Sequence, residues 1–247
     1  MKGVTIATSV RDFDRLAADR VVRQIKDKPD SVIGLSTGRT TNAMHRQVAE
    51  RFVREGFDVG KVTFFGLDEV TNVSPSYSGA CCTMLRTEII DALGIDDNRF
   101  LMLPTESNDW PAACRLFEQE IERRGGIDLL MLGLGENGHL GFNQPGTPFE
   151  QGTWLSRMDA ELEARIRQET QTPPGVPLGG VTLGLRNIMQ ARRIVLVAKG
   201  ERKARIVRQM LLGPVTTSVP ASVLQRHPCC EFLLDTDAAK CLSGREV

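Results

Sequence analysis

The chain has 247 residues, and its 31 lysine and arginine residues balance its 31 aspartate and glutamate residues, so the formal net charge is zero. This balance gives no indication of binding to nucleic acid or to an anionic membrane, and the length suits one large α/β domain. No apolar run approaches the roughly 18 residues of a membrane-spanning helix, and the amino-terminal apolar stretch is too short for a signal peptide. The six cysteines form no Cys-x-x-Cys pair. We therefore expect free thiols, no metal site and a soluble, cytoplasmic protein.

Short apolar segments alternate with amphipathic stretches along the chain. The apolar segments predict β-strands at residues 4–7, 31–35, 62–67, 100–103, 127–132, 181–183, 194–198 and 231–234. Apolar residues at helical spacing predict helices at residues 12–26, 41–54, 84–93, 110–123, 203–212 and 218–225. This alternation predicts an α/β fold with a single doubly wound, mostly parallel, Rossmann-like sheet that carries helices on both faces. We expect residues 1–247 to form one domain.

Residues 142–180 are the least regular part of the chain. This segment contains Pro145, Pro148, Pro173, Pro174 and Pro177. A loop of this length in a compact domain is more often a lid or the wall of a site than a domain boundary. We therefore expect it to border a functional site.

The first polar segment lies between a predicted strand and a predicted helix and contains Ser36, Thr37, Gly38, Arg39 and Thr40. Free backbone N–H groups at the amino end of a helix, with hydroxyl groups beside them, bind phosphate well. The segment is not a P-loop, because the pattern Gly-x-x-x-x-Gly-Lys-Ser/Thr is absent. The alternative is that a serine or threonine simply caps the helix.

The second polar segment is the pair Asp68 and Glu69, which follows the strand predicted at residues 62–67. Two carboxyl groups at the carboxyl end of a strand are well placed for proton transfer. Partial desolvation there would raise a carboxyl pKa towards a useful range. The alternative is an aspartate that caps a helix or forms a turn.

The third polar segment is the glycine-rich loop 133–145, which reads Gly-Leu-Gly-Glu-Asn-Gly-His-Leu-Gly-Phe-Asn-Gln-Pro and contains His139. A histidine in a glycine loop at the carboxyl end of a parallel strand is typical of a reacting group in α/β proteins. The alternative is a turn whose histidine is incidental. We expect His45 to be packed or half-exposed within a helix and His227 to lie in a turn.

Together and in this order, the three segments resemble the glucosamine-6-phosphate deaminase family, which is related to sugar-phosphate isomerases and 6-phosphogluconolactonases. The resemblance extends from residue 31 to about residue 234. Besides the three polar segments, the matching pieces include residues 181–184, 200–203 and 218–228. The Phe-Asn-x-Pro ending of the histidine loop favours the deaminase branch over the lactonases. The chain is most similar to the galactosamine-6-phosphate deaminase/isomerase branch, which also carries asparagine before Gly-His.

The resemblance implies conversion of a hexosamine 6-phosphate to a ketose 6-phosphate and ammonia, without a metal or organic cofactor. It implies that His139 assists opening of the pyranose ring and that Asp68 moves a proton from C2 to C1. The C2 proton becomes labile once C1 is an open-chain carbonyl, and a fixed carboxylate can move it along one face. The resemblance also implies that the 6-phosphate lies on the loop 36–40 and is held by Lys203, with Arg167 as a further phosphate ligand.

The chain departs from the family pattern around the histidine and in the phosphate loop. Asn137 and Gln144 stand where the deaminases typically have aspartate and glutamate, and we place both amides in the catalytic group with Asp68 and His139. An amide orients an imidazole but does not stabilise imidazolium as a carboxylate does, so we expect a less basic His139 and slower or different ring opening. Arg39 replaces a small residue. It strengthens phosphate binding, marks an acidic sugar substrate, or points to solvent.

Three functions stay open at this point. The first is an amino-sugar-phosphate deaminase or isomerase. The second, motivated by Gln144 and Arg39, is another sugar-phosphate reaction on the same fold, such as lactone hydrolysis or aldose–ketose isomerisation. The third is a non-catalytic sugar-phosphate binding module. In each case the partner is a small-molecule sugar phosphate.

Three further properties concern regulation, substrate and assembly. Residues 146–159 poorly match the allosteric phosphate site of some deaminases, so we predict no such regulation. The sequence leaves open the choice between the glucosamine and galactosamine epimers. It also leaves open the oligomeric state, a homo-oligomer included.

Overall fold

The computed structural model of the chain describes residues 3–74 and 76–243. The strands in these ranges are β1 (Val4–Ile6), β2 (Val32–Leu35), β3 (Thr63–Gly66), β4 (Asp68–Val70), β5 (Phe100–Leu101), β6 (Leu129–Gly133), β7 (Trp154–Ser156), β8 (Gly180–Thr182), β9 (Ile194–Ala198) and β10 (Cys230–Leu234). The α-helices are α1 (Val10–Asp27), α2 (Asn42–Glu55), α3 (Cys81–Leu85), α4 (Trp110–Arg123), α5 (Ala160–Thr170), α6 (Leu185–Met189) and α7 (Ala204–Leu212). Shorter helical segments are a π-helix at Arg86–Ile90 and 3-10 helices at Asp97–Arg99, Glu201–Lys203, Pro220–Arg226 and Lys240–Ser243.

Seven strands form the main sheet in the order β1-β10-β9-β6-β2-β3-β5. Every neighbouring pair in this sheet is parallel. The predicted doubly wound, mostly parallel sheet is therefore confirmed. From β2 the chain winds outward to β3 and β5, whereas from β6 it winds in the other direction to β9 and β10. The direction of winding reverses between β2 and β6, and doubly wound folds bind ligands at the carboxyl ends of strands beside such a point.

Helices cover both faces of the main sheet, because its central strands are apolar on both sides. Leu129 and Met131 of β6 belong to one buried cluster together with residues of α1 and α2. Leu130 and Leu132 of the same strand belong to the opposite cluster, which includes residues of α4, α6 and α7. Neighbouring side chains of a strand point to opposite faces, so one continuous apolar run serves both clusters.

A second, three-stranded antiparallel sheet has the order β4-β8-β7. The sequence places residues 181–183 in the main sheet, and this placement is wrong, because β8 pairs with β4 and β7. Leu67 explains how the chain passes between the sheets. Its N–H donates to the carbonyl of Leu35 at 2.9 Å, and its carbonyl accepts from the N–H of Leu183 at 2.9 Å. A single residue thus joins β3 to β4, and no turn signal in the sequence marks the change of sheet.

The segment 142–180 is more regular than the sequence indicates, because it contains β7 and α5. Helix α5 buries only Ile166, so it lacks the apolar stripe from which a helix is predicted. The segment contributes to a third small cluster, formed by Val70, Val73, Ala80, Phe142, Met158, Ile166 and Leu178. It therefore packs against the start of the second sheet, where Asp68 lies.

Two helices predicted from the sequence differ in type or extent. The helix predicted at residues 84–93 is α3 followed by the π-helix at Arg86–Ile90, and the helix predicted at residues 218–225 is the 3-10 helix at Pro220–Arg226. Apolar spacing does not distinguish these helix types over so few turns. No helix in the described ranges is long and apolar enough to cross a membrane. All six cysteines lie in those ranges and are free, as predicted.

Candidate active site

The three polar segments meet at the carboxyl ends of the adjacent strands β6, β2 and β3. Two hydrogen bonds join the first segment to the end of β6. The N–H of Ser36 donates to the carbonyl of Met131 at 3.1 Å, and the N–H of Gly133 donates to Oγ of Ser36 at 2.8 Å. Ser36 is buried, so its hydroxyl holds the loop against β6.

The loop that follows Ser36 presents a row of unpaired backbone donors. Within the described residues, the N–H groups of residues 37–40 donate to no protein atom. The hydroxyl of Thr41 donates to the carbonyls of Ser36 at 3.0 Å and Gly38 at 3.3 Å, which fixes the turn into α2. Gly38 has a φ of 131°, a conformation that favours glycine. Consecutive free amides beside a helix amino end form an anion-binding loop.

Two cations lie beside this loop. Nζ of Lys203 donates to the carbonyl of Leu134 at 2.7 Å, which places the ammonium group next to the start of the histidine loop. Burial lowers the pKa of Lys203, Glu136 opposes this shift, and the positive charges of Arg202 and Arg39 lower the pKa further. Arg39 is exposed and has no hydrogen bond or ion pair within the part of the chain that is described. Lys203 and Arg39 therefore act on the same region of the site, where an anion would relieve their repulsion.

Asp68 is a buried carboxyl group, with 9% of its surface exposed. Its Oδ1 accepts a hydrogen bond from the thiol of Cys81 at 3.5 Å. Burial raises the pKa of Asp68 to about 7, with a further contribution from the negative charge of Glu69. A carboxyl group with this pKa can both take up and release a proton near neutral pH.

Glu69 has a different role from its neighbour. It is fully buried, and its carboxylate accepts hydrogen bonds from the N–H groups of Val70, Cys81 and Cys82, each at 2.8 Å. Burial raises the pKa of Glu69, while these three hydrogen bonds oppose the rise. The carboxylate ties the amino end of α3 to β4. Glu69 therefore fixes the backbone on which Asp68 and Cys81 are carried.

The variant Glu69→Gln is expected to lower the free energy of unfolding by about 1–3 kcal/mol. Glutamine keeps one acceptor oxygen, but its NH₂ group would face a backbone N–H, which leaves a buried donor unpaired. Urea denaturation followed by circular dichroism measures the change. Glu122→Gln is the matched control, because Glu122 is exposed and little change is expected there. Equal stability of Glu69→Gln and the wild type would show that the carboxylate does not anchor α3.

The tautomer of His139 follows from its contacts with Asn137. Oδ1 of Asn137 lies 3.1 Å from the backbone N of His139 and 2.7 Å from its Nδ1, while Nδ2 of Asn137 donates to Oε1 of Gln144 at 3.0 Å. Because a backbone N–H only donates, the Asn137 atom that it faces is the oxygen. That oxygen can only accept from Nδ1, so the neutral ring carries its proton on Nδ1 and has a free lone pair on Nε2.

Burial lowers the pKa of His139, and the positive charge of Lys203 lowers it further, while Asp159 opposes the shift. This shift is relative to an ordinary histidine, and its main cause is loss of solvent. The expectation that Asn137 and Gln144 make His139 less basic than a histidine flanked by acids stays a prediction.

The variant Asn137→Asp is expected to raise the pKa of His139, because a carboxylate beside Nδ1–H stabilises the imidazolium ion. Titration of the His139 ring protons by NMR, assigned with His139→Gln, measures this pKa. Gln144→Glu is the comparison variant. Within the described residues, the side chain of Gln144 is hydrogen-bonded to Asn137 and not to the imidazole, so its substitution is expected to shift the pKa less. An unchanged pKa in Asn137→Asp would contradict the contact.

Two glycines allow the histidine loop to approach its neighbours closely. A Cβ atom on Gly135 would lie 2.3 Å from the imidazole ring of His139. A Cβ atom on Gly141 would lie 2.5 Å from Oγ1 of Thr182 and 3.2 Å from Oδ2 of Asp68, and Gly141 has a φ of 58°. The backbone two residues after His139 thus lies close to Asp68, with no room for a side chain between them. The structure thereby brings the carboxyl group and the histidine loop together.

Asn143 is a buried residue whose role the sequence analysis did not identify. Its Nδ2 donates to the carbonyls of Leu140 and Leu183, each at 2.8 Å, and its Oδ1 accepts from Nε1 of Trp154 at 3.0 Å. It therefore fixes the histidine loop to β7 and β8. Its place in the Phe-Asn-x-Pro motif was the available signal, but two of its three partners, Trp154 and Leu183, lie on other parts of the chain.

Arg167 lies on α5 and is engaged elsewhere than at the phosphate loop. Its guanidinium donates to the carbonyls of Pro173 at 2.6 Å and Val176 at 3.2 Å, and it pairs with Glu163 at 2.7 Å. These contacts hold the turn that follows α5. Among the described residues, none of its contacts reaches the loop 36–40. Its role as a phosphate ligand stays a prediction.

The fold and the site together are typical of α/β enzymes that move a proton on a small anionic substrate. Comparison with known families makes this class more specific. The chain belongs to the family of glucosamine-6-phosphate isomerases and 6-phosphogluconolactonases, whose family model matches residues 7–231. The resemblance identified from the sequence is therefore confirmed.

Individual relatives match over nearly the whole chain. The chain is 36% identical to the glucosamine-6-phosphate deaminase of Halothermothrix orenii, over 97% of this chain and 99% of that protein. It is 34% identical to glucosamine-6-phosphate deaminase 2 of Bacillus subtilis, over 98% of both chains.

Solved structures give the same result for the fold. A monomeric glucosamine-6-phosphate deaminase superposes with a TM-score of 0.89 at 29% identity, over 96% of this chain and 98% of that one. The 6-phosphogluconolactonase from Trypanosoma brucei superposes with a TM-score of 0.76 at 19% identity, over 98% of this chain and 99% of that one. The second likeness shows the fold alone.

Proposed function

We propose that this chain is an amino-sugar-phosphate deaminase/isomerase, which converts glucosamine or galactosamine 6-phosphate to a ketose 6-phosphate and ammonia. The observation that carries the proposal is the carboxyl group of Asp68, which is buried, has a pKa of about 7 and lies close to the backbone of the histidine loop at Gly141. Relatives that match over 97–99% of the chain include glucosamine-6-phosphate deaminases. The six free cysteines fit a cytoplasmic location.

The 6-phosphate binds to the free amides of the loop that contains Ser36, Thr37, Gly38 and Thr40. Lys203 and Arg39 supply positive charge beside this loop, and the lowering of the Lys203 pKa by the charge of Arg39 supports a shared anionic ligand. Because the phosphate is held at the point between β2 and β6, the sugar extends from it towards Asp68 and His139.

Ring opening is the first chemical step. The neutral imidazole of His139 accepts the proton of the anomeric hydroxyl on Nε2 and returns a proton to the ring oxygen, which gives the open-chain aldehyde. Asn137 holds Nδ1–H, and Gln144 holds Asn137, so the two amides orient the ring for this transfer. The lowered pKa of His139 keeps the imidazole neutral at physiological pH.

Proton transfer by Asp68 follows. The carboxylate removes the proton from C2 while the C1 carbonyl oxygen gains one, and an enol-type intermediate forms. Return of the proton to C1 leaves an imine at C2. Water then hydrolyses this imine to the ketone and releases ammonia, so one water is consumed for each ammonia formed.

A second candidate is hydrolysis of a sugar-phosphate lactone on the same fold. The observation in its favour is that His139 has amides rather than carboxylates beside it, which is a departure from the deaminase pattern. Asp68 argues for the deaminase, because a base with a pKa of about 7 against the histidine loop suits proton transfer between carbon atoms.

Ammonia release from glucosamine 6-phosphate and galactosamine 6-phosphate tests the proposal, with Asp68→Asn as the control. Ammonia from either sugar, lost in the control, is the expected result and identifies the epimer. Absence of ammonia from both sugars, although calorimetry shows that both bind, would contradict a deaminase. Hydrolysis of 6-phosphogluconolactone by the same preparation would then support the second candidate, whereas binding without turnover of any of the three would support a binding module.

A further inference from the structure

The thiol of Cys81 lies between the phosphate loop and the carboxyl group of Asp68. Oγ1 of Thr37 donates to Sγ of Cys81 at 3.2 Å, and the same thiol donates to Oδ1 of Asp68 at 3.5 Å. A chain of hydroxyl, thiol and carboxyl groups therefore connects the loop that binds the anion with the proposed base. Thr37 lies in the loop after β2, Asp68 is the first residue of β4, and Cys81 joins them.

The position of this thiol is fixed by its own backbone. Cys81 is the first residue of α3, and its N–H donates to Oε1 of Glu69 at 2.8 Å. The side chain is buried. Burial and the negative charges of Asp68 and Glu69 raise the pKa of the Cys81 thiol well above its usual range. The group is thus a protonated donor and not a thiolate nucleophile.

We propose that Cys81 is a positioning residue, which transmits occupation of the phosphate loop to Asp68 through its hydrogen bonds to Thr37 and Asp68. The inference rests on the proposed function. The Thr37 hydroxyl has one proton to donate. When that proton turns to a bound phosphate, the sulfur loses its donor, and the thiol becomes a weaker donor to Asp68 because hydrogen bonds in a chain strengthen one another.

The hydrogen bond from the Cys81 thiol affects the pKa of Asp68. A hydrogen bond to the charged form of a carboxyl group stabilises that form and lowers its pKa. When phosphate weakens the bond from Cys81, the Asp68 carboxylate becomes a stronger base. Asp68 is therefore more basic when the bound sugar carries a phosphate than when the sugar lacks one.

The S–H stretching band in the infrared tests the connection without any turnover. The Cys81 band is identified by its loss in Cys81→Ser. We expect inorganic phosphate to shift this band in the wild type, and we expect Thr37→Val to have the shifted band already and to show no response to phosphate. A band that neither phosphate nor Thr37→Val moves would overturn the proposal. Because no reaction is measured, this result is independent of whether the chain is a deaminase.

The pH profile of kcat/KM for ammonia release is the second measurement. Cys81→Ala removes the donor to Asp68, so the acidic limb is expected to move to higher pH by about 0.5–1 pH unit. Cys81→Ser keeps a donor and is expected to restore the wild-type limb or move it to lower pH. Thr37→Val is expected to move the limb in the same direction as Cys81→Ala. The double variant Thr37→Val/Cys81→Ala is expected to shift the limb no further than Cys81→Ala alone.

Cys114→Ala is the matched control, since Cys114 is also buried but lies on α4 within the apolar core. It is expected to leave the limb unchanged. An unchanged limb in both Cys81→Ala and Thr37→Val would overturn the proposal, even if kcat fell. If Cys81→Ala does not fold, the pH profile of Thr37→Val alone tests the proposal, and an unchanged acidic limb in that variant would overturn it.

Discussion

Replacement of Asp68 by asparagine is expected to lower kcat for ammonia release by roughly 10²–10⁴-fold, which is the usual contribution of a general base. Asparagine has nearly the same volume and keeps an oxygen that can accept from the Cys81 thiol, so the packing against Gly141 is retained. It cannot take up the C2 proton. The loss should therefore fall on kcat, while binding of the sugar phosphate, measured by calorimetry, changes little.

The pH dependence of the wild type gives a second, independent sign of this base. Asp68 acts in its deprotonated form, and burial raises its pKa to about 7. Activity should therefore rise as the pH passes through about 7 and level off above it. The residual activity of Asp68→Asn should lack this limb. An acidic limb near the ordinary aspartate pKa of about 4 would mean that the reacting carboxyl group is solvated and that the proposed base is wrong.

Substitution of Gly135 by alanine is expected to lower kcat by about 10²-fold, because a small displacement of a catalytic group is enough for a loss of that size. The added Cβ atom would lie 2.3–2.4 Å from three atoms of the His139 ring. The ring is also hydrogen-bonded to Asn137 through Nδ1, so a displacement of the ring strains this hydrogen bond. Steady-state kinetics, with the NMR titration of His139, measures both effects.

Gly175→Ala serves as the control for this variant. A Cβ atom on Gly175 would meet no atom within 4 Å, and its φ lies outside the left-handed range. Full activity is expected from the control. Wild-type kcat in Gly135→Ala, together with an unchanged His139 titration, would show that the ring has room to move and that its placement does not limit the reaction.

The central strands were predictable because each is an unbroken apolar run. The runs at residues 31–35, 127–132 and 194–198 correspond to β2, β6 and β9 within two residues at each end. A strand buried on both faces needs apolar residues at every position, so its signal is local and strong. The order of the strands was not predictable in this way, since it depends on pairing between distant parts of the chain.

The helices and strands that were not predicted from the sequence have weak local patterns. Helix α5 buries one residue, and β4 and β7 are three residues long. The change of sheet at Leu67 occurs at the last residue of the apolar run 62–67. The interpretation of residues 1–247 as one domain and the phosphate role of Arg167 stay predictions, as do the catalytic roles of Asp68 and His139.

The sequence by itself determined the family, the parallel α/β class and the three polar segments, because motif order, glycine positions and apolar runs are local properties of the chain. Only the tertiary structure decided the chemical state of the groups in those segments. The pKa of Asp68 and the placement of the Cys81 thiol each depend on residues distant in sequence or on exclusion of solvent. Solvent exclusion exists only after the sheets, the histidine loop and α3 have packed together, so no local pattern encodes it.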